Sequence, residues 1–207
     1  MSTRPRVGVV VGNPKPQSRT LNVGVAVARA ASEAAGLDGT EELVVDLAGV
    51  GAELLDWSSD RVPQLVDSVA GSSLLVVASP TFKASYSGLL KCFLDWFGTT
   101  GLSGVVTVPV MVGAGLTHAL AVEVHLRPVL VEIGATLPTR GLYAWEFEKG
   151  TRELRVRVEG PTDLQRDGTA AQCGPRGFYP SRRQSSAAFA LLVDALRHRP
   201  TRDGASR

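Results

Sequence analysis

Short runs of β-branched residues alternate with longer amphipathic stretches over most of this chain. Val7-Gly-Val-Val-Val11 is a continuous apolar run, the pattern of a strand covered on both faces. It cannot extend through Gly12 to Thr20, because Gly12, Pro14 and Pro16 force a loop. Leu21 to Ala35 carries Ala and Val at helical spacing and stops at Gly36. Glu42 to Asp46 predicts a second strand, Asp60 to Ala70 a helix, and Ser73 to Ala78 a third strand. Ser79 to Ala84 reads as a loop, followed by a helix over Ser85 to Phe97 with Leu89, Leu90, Phe93, Leu94 and Phe97 at helical spacing. Val105 to Val112 predicts a fourth strand, in which Pro109 implies a bulge or a late start. Gly113-Ala-Gly115 closes it. A long helix is then expected over Thr117 to Ile133, with Pro128 kinking it or removing one of its hydrogen bonds. Thr136 to Trp145 contains the fifth strand.

Beyond that point the signal weakens. Glu153 to Val158 alternates like an exposed edge strand, Thr162 to Phe178 is a Gly- and Gln-rich loop, and Ser185 to His198 is a final amphipathic helix. Residues 200–207 are expected to be a disordered tail. With no internal repeat and no linker, residues 1–199 read as one domain. Strands alternating with helices through short loops mean right-handed parallel βαβ units. The expected fold is α/β, a doubly wound five-stranded parallel sheet in the order 2-1-3-4-5. Ligands bind such sheets outside the strand carboxyl ends, near the switch between strands one and three. The loops after strands one, three and four are therefore the candidate site.

Composition narrows the class. Hydrophobic residues make up 44% of the chain, enough for a full core, and 22 basic against 20 acidic residues give a net charge of +2. That balance argues against a nucleic-acid partner, and the Arg-rich end from Arg182 to Arg207 reads as a solvated terminus. The cysteines, Cys92 and Cys173, make no disulfide framework, which fits a reducing cytoplasm. Cys92 itself reads as a buried helix residue with no redox role. No signal segment precedes the first strand, and no apolar run approaches the ~20 residues that span a bilayer, so no membrane partner is expected.

The three loops carry recognisable chemistry. Ser18, Arg19 and Thr20 precede a helix, where hydroxyls, backbone N–H groups and a guanidinium suit a phosphate dianion. The same hydroxyls could serve only as helix caps. Neither a Walker loop nor Gly-x-Gly-x-x-Gly is present. In the second loop Pro80 presets a turn, Phe82 offers a flat apolar surface, and Lys83 follows a buried strand. Ser85 or Ser87 could again be only a cap, and Phe82 only a core residue. Gly113-Ala114-Gly115 lets backbone approach a flat ligand closely, or simply makes a tight turn.

Taken together, Gly12-Asn-Pro with Ser18-Arg-Thr20, Ser79-Pro-Thr-Phe-Lys-Ala-Ser-Tyr-Ser-Gly-Leu-Leu-Lys91 with Asp95, and Gly113-Ala-Gly-Leu-Thr-His118 with Arg127-Pro-Val-Leu130 resemble the NAD(P)H-dependent FMN reductases of the flavodoxin-like superfamily. The likeness is greatest to the reductase partners of two-component alkanesulfonate monooxygenases and covers roughly residues 5–145. It implies that Ser18, Arg19 and Thr20 hold the FMN phosphate, with Asn13 standing where Ser is more usual. Pro80, Thr81, Phe82 and Lys83 would line the ring and ribityl side, with Ser85 and Tyr86 close by. Gly113, Ala114 and Gly115 would meet the pyrimidine edge through backbone groups, with His118 beside them.

The implied reaction is hydride transfer from NADPH or NADH to FMN, requiring no metal and no protein acid or base, so no catalytic residue is assigned. The resemblance further implies a homodimer or homotetramer that supplies reduced flavin to a monooxygenase. An alternative keeps FMN bound and reduces quinones, azo dyes or metal oxyanions. An electron-transfer flavodoxin ranks lower, because the chain lacks a Thr-rich phosphate loop and strong acidic charge. Relatives of the alkanesulfonate type carry an inserted Tyr or His that makes a π-bulge in the fourth helix. Here Val124 stands at that position with His125 beside it, so either His125 substitutes or the device is missing.

Overall fold

In the computed structural model the described residues are 6–37, 41–146, 154–158, 172–174 and 177–179, the last three segments as backbone. Strands β1 (Arg6–Val11), β2 (Glu41–Asp46), β3 (Leu74–Pro80), β4 (Val106–Gly113) and β5 (Leu142–Glu146) alternate with helices α1 (Arg19–Ala34), α2 (Arg61–Ala70), α3 (Gly88–Leu94) and α4 (Arg127–Glu132). The strands run β2-β1-β3-β4-β5, all parallel, as the alternation predicts. A sixth strand, β6 (Leu154–Val158), adds antiparallel to β5. It is the alternating segment expected as an edge, and it makes the sheet six-stranded and mixed where the reading from sequence counted only five parallel strands. The Gly/Gln-rich stretch is not wholly loop either, since β7 (Gln172–Gly174) and β8 (Gly177–Tyr179) pair as a small antiparallel ribbon. The expected helix over Ser185 to His198 and the tail after 200 lie outside the described residues.

The central strands are near-continuous apolar runs and so are buried on both faces: all seven residues of β3 are buried. On one face Val7, Val9 and Val11 pack with Val23, Val27, Ala28 and Ala31 of α1. On the other, Val10, Leu75, Val77, Met111 and Tyr143 pack with apolar side chains of α2, α3 and α4. Burying a Val or Leu side chain contributes about 1.5–3 kcal/mol, and it is this two-sided burial that fixes the sheet.

Pro109 produces neither of the expected distortions. β4 begins at Val106 and keeps unbroken register with β3, with Pro109 opposite Val77. The Thr107 N–H points toward the β5 side, to the Thr136 carbonyl at 2.8 Å, and Pro109 faces the same way by strand alternation. Pairing with β5 starts only at Val110, so the missing N–H lies where no ladder bond is made.

The single long helix expected over Thr117 to Ile133 is instead a 3₁₀ turn (Leu116–His118), a π-helix (Val122–Leu126) and α4. The Arg127 N–H bonds back to the Val122 carbonyl, and Pro128, which has no N–H to give, follows at once. Long-range contacts account for the wide turn. The Glu123 carboxylate accepts from the Gly141 N–H. Arg127 lies 3.8 Å from that carboxylate and donates to the Thr139 and Leu137 carbonyls at 2.6 and 2.8 Å. The π-bulge is therefore present, with no Tyr in it: the π-helix holds both Val124 and His125, and both are exposed.

Candidate functional site

Because β1, β3 and β4 are neighbours in the sheet, the loops that follow them meet at one carboxyl edge. The first loop ends in Ser18, whose φ and ψ of −74° and 164° make it the N-cap of α1, its hydroxyl accepting from the Leu21 N–H at 3.3 Å. Thr20 is buried at 2% exposure, and its hydroxyl accepts from Asn13 Nδ2 at 2.9 Å. Asn13 Oδ1 in turn accepts from the Lys15 N–H, so one amide folds the loop onto the helix start. Arg19 is exposed in the first turn. Asp46, at the end of β2, accepts from the Gln17 N–H at 3.3 Å, a support for this loop that no local sequence signal marks.

The second loop differs from its expected form. The helix does not start at Ser85. Phe82 and Ser85 exchange both backbone hydrogen bonds, at 2.8 and 3.1 Å, around a two-residue turn of Lys83 and Ala84. Both turn residues are left-handed, with φ of 50° and 66°, a geometry normally left to Asn and Gly. Among the described residues only these two and Gln17 (φ 51°) are left-handed without being glycine, and all three lie in the first two loops. Strain of this kind costs about 1–3 kcal/mol per residue and collects at functional sites. The turn leaves Phe82 48% exposed at the edge, so it is not a core residue, while Pro80 is buried and Ser85 and Tyr86 are half-buried. Burial pushes the Tyr86 hydroxyl above its ordinary pKa.

Ser87 is the cap of α3 and also the seam between the first two loops. Its hydroxyl accepts from the Leu90 N–H and donates to the Gly12 carbonyl, while its own N–H bonds Ser79 Oγ at 2.9 Å. Gly12 must be glycine here, since a Cβ would sit 2.4 Å from Leu90 Cβ. The end of β4, just before the third loop, joins the second loop through the Thr81 N–H, which bonds the Val112 carbonyl at 2.7 Å. Gly113 ends β4, Ala114 is exposed, and Gly115 is half-buried; His118 is exposed at the end of the 3₁₀ turn. His125, on the π-helix, is exposed as well. Cys92 is half-buried on α3, not fully buried as expected.

The donor set suits a flat ligand with a phosphate tail. The start of the 16-residue helix α1 provides N–H groups, two hydroxyls and an arginine for an anion. Further along the edge, Thr81 Oγ1 is buried with no hydrogen-bond partner. An orphaned buried hydroxyl at this edge is what a polar ring edge would satisfy. FMN has both parts, and the residues fit it.

An α/β sheet in the order 2-1-3-4-5 with its loops gathered at the carboxyl edge defines the flavodoxin-like class. Within that class, the chain belongs to the NADPH-dependent FMN reductase family, whose model matches residues 5–150. It is 31% identical over 104 residues to an FMN reductase (NADPH) of Pseudomonas putida, a match covering 48% of this chain and 53% of that protein. An FMN reductase (NADPH) of Pseudomonas aeruginosa is 30% identical over 146 residues, 69% of this chain and 78% of the relative. The chain thus spans about half the length of the first relative and over three quarters of the second. The solved apo structure of an NADH:FMN oxidoreductase superposes with a TM-score of 0.59 at 28% identity, covering 67% of this chain and 74% of that one.

Proposed function

We propose that this protein is an oxidoreductase that uses NADPH or NADH to reduce FMN held at the carboxyl edge of the sheet. The observation that carries the reading is the seam of loops: Ser87 to Gly12 and Thr81 to Val112 tie the first loop and the end of β4 to the second loop, with the start of α1 at one end and the orphaned Thr81 hydroxyl at the other. Bound FMN supplies the redox chemistry, accepting a hydride from the nicotinamide. The chain's own residues bind and orient. Ser18, Arg19 and Thr20, with Asn13 behind them, hold the phosphate. Pro80, Thr81, Phe82, Lys83, Ser85 and Tyr86 line the ring and ribityl chain, Phe82 offering its exposed face. Gly113, Ala114 and Gly115 approach the pyrimidine edge through backbone, with His118 alongside. No side chain is asked to move a proton, so orientation is the main contribution.

The relatives' names divide between NADPH and NADH, which leaves either as donor. In this reading the reduced flavin passes to a monooxygenase in the cytoplasm, and the chain works as a homodimer or homotetramer. Leu116, Leu120, Val124 and Val131 leave an apolar row exposed along the 3₁₀–π–α4 segment, and such a row is what self-association would cover. The alternative of a tightly held FMN serving quinone, azo or metal-oxyanion acceptors uses the same loops. The test is the visible spectrum of the purified protein, followed by NADPH and NADH oxidation with and without added FMN. A colourless protein that oxidises the nucleotide only when FMN is added is the expected result. A yellow protein that gains nothing from added FMN supports the alternative, and no flavin binding at micromolar FMN refutes both.

A further inference from the structure

Tyr143 is the largest fully buried side chain in the described structure, at 0% exposure, yet it ends in a polar group. It stands on β5 opposite Met111 of β4, and its ring runs along β4 toward the carboxyl edge. A Cβ on Gly113 would lie 1.9 Å from the Tyr143 hydroxyl oxygen and 2.8 Å from the ring carbon bearing it, so Gly113 is the gap through which the side chain passes. Beyond that gap the hydroxyl donates to the Gly115 carbonyl at 3.0 Å.

The bond fixes a peptide plane. Gly115 is extended, with φ −171° and ψ 178°, and the described chain has no cis peptide. In a planar trans peptide the Leu116 N–H points opposite to the Gly115 carbonyl. With that carbonyl held inward by a buried phenol, the Leu116 N–H is turned outward, away from the core. Leu116 itself is 45% exposed, and no described group accepts its N–H. A glycine on either side of Ala114 would otherwise leave this segment free to turn its peptides either way.

We propose that Tyr143 is a positioning residue for the flavin: by capturing the Gly115 carbonyl it holds the Leu116 N–H outward as a donor for the polar edge of the ring. The inference rests on the flavin reading above and deepens it. Tyr143 touches no ligand, acting only through the 115–116 peptide. Phenylalanine at this position would fill the same space and leave the peptide free to flip.

The experiment compares wild type, Tyr143→Phe and Ser18→Ala in fluorescence titrations with FMN and with lumiflavin, which keeps the ring but lacks the ribityl phosphate. Tyr143→Phe is expected to retain the far-ultraviolet circular dichroism of wild type and to weaken both ligands by the same factor, roughly five- to tenfold, as for one lost hydrogen bond. The absorption envelope of the bound flavin should shift with it. Ser18→Ala should weaken FMN and leave lumiflavin unchanged. The inference is overturned if Tyr143→Phe binds both ligands as wild type does, or loses affinity for FMN but not lumiflavin. If wild type binds neither ligand, the flavin reading itself falls, and this inference with it.

Discussion

At the scale of single residues, the turn of Lys83 and Ala84 is where conformational energy is most visibly stored. Alanine in the left-handed region costs about 1–2 kcal/mol that glycine does not. Ala84, at φ 66°, is therefore expected to gain about 1 kcal/mol of stability on replacement by glycine, a rise of roughly 2–4 °C in melting temperature for a domain of this size. An unchanged or lowered melting temperature for Ala84→Gly would mean the turn is unstrained. Gly113 makes the opposite case. Gly113→Ala drives a Cβ into Tyr143 and should cost about 1–3 kcal/mol in chemical denaturation. Adding Tyr143→Phe should recover part of that loss, because the two changes share one contact.

Two groups on the second loop and α3 set an alkaline limit. Tyr86 is raised above its ordinary value of 10.0, chiefly by burial, with the nearby Lys91 charge opposing. Lys91 is raised above 10.5, chiefly by its hydrogen bond to Asp95. A group whose folded pKa is raised contributes stability fully below its unfolded pKa and loses it as pH climbs through the folded one. Both contributions are thus intact at neutral pH and lost above about pH 10. Stability against urea should fall over that alkaline range, and Tyr86→Phe should flatten part of the fall. Lys91 and Asp95 are largely exposed, so their share is small.

Among elements, α3 and the π-helix each depend on a contact made elsewhere in the fold. Ser87 caps α3 and also holds the Gly12 carbonyl, so Ser87→Ala removes a cap and strands a buried acceptor. The expected cost is about 2–3 kcal/mol, seen as a lower urea midpoint at unchanged slope, together with weaker FMN binding as the first two loops part. A midpoint equal to wild type would remove Ser87 from the seam.

Strands were legible because Val7–Val11 and Leu74–Ala78 can bury only as two-sided strands, and the loop positions followed from their ends. The start of α3 was not, since the Phe82–Ser85 turn uses lysine and alanine where glycine would have announced it. The π-helix was legible only as a question at Val124 and His125. Its cause, Glu123 and Arg127 reaching Gly141, Thr139 and Leu137, is a tertiary contact that periodicity does not record. Tyr143 reads in sequence as one more apolar strand residue, and its hydroxyl acquires meaning only once β4 lies beside it.

For the molecule as a whole, the parallel sheet places the start of α1, a strained turn and a glycine-bounded loop along one edge, and the family match extends over the same region. The central claim is that this edge holds FMN and presents it to a reduced nicotinamide. The most direct test is to titrate the purified protein with FMN by flavin fluorescence, then to add NADPH or NADH and follow its oxidation. The account predicts saturable binding at micromolar FMN, weakened roughly tenfold or more by Arg19→Ala for FMN but not for riboflavin, with nucleotide oxidation that depends on flavin. Fluorescence unchanged by the protein, or oxidation at equal rates with and without any flavin present, would contradict it.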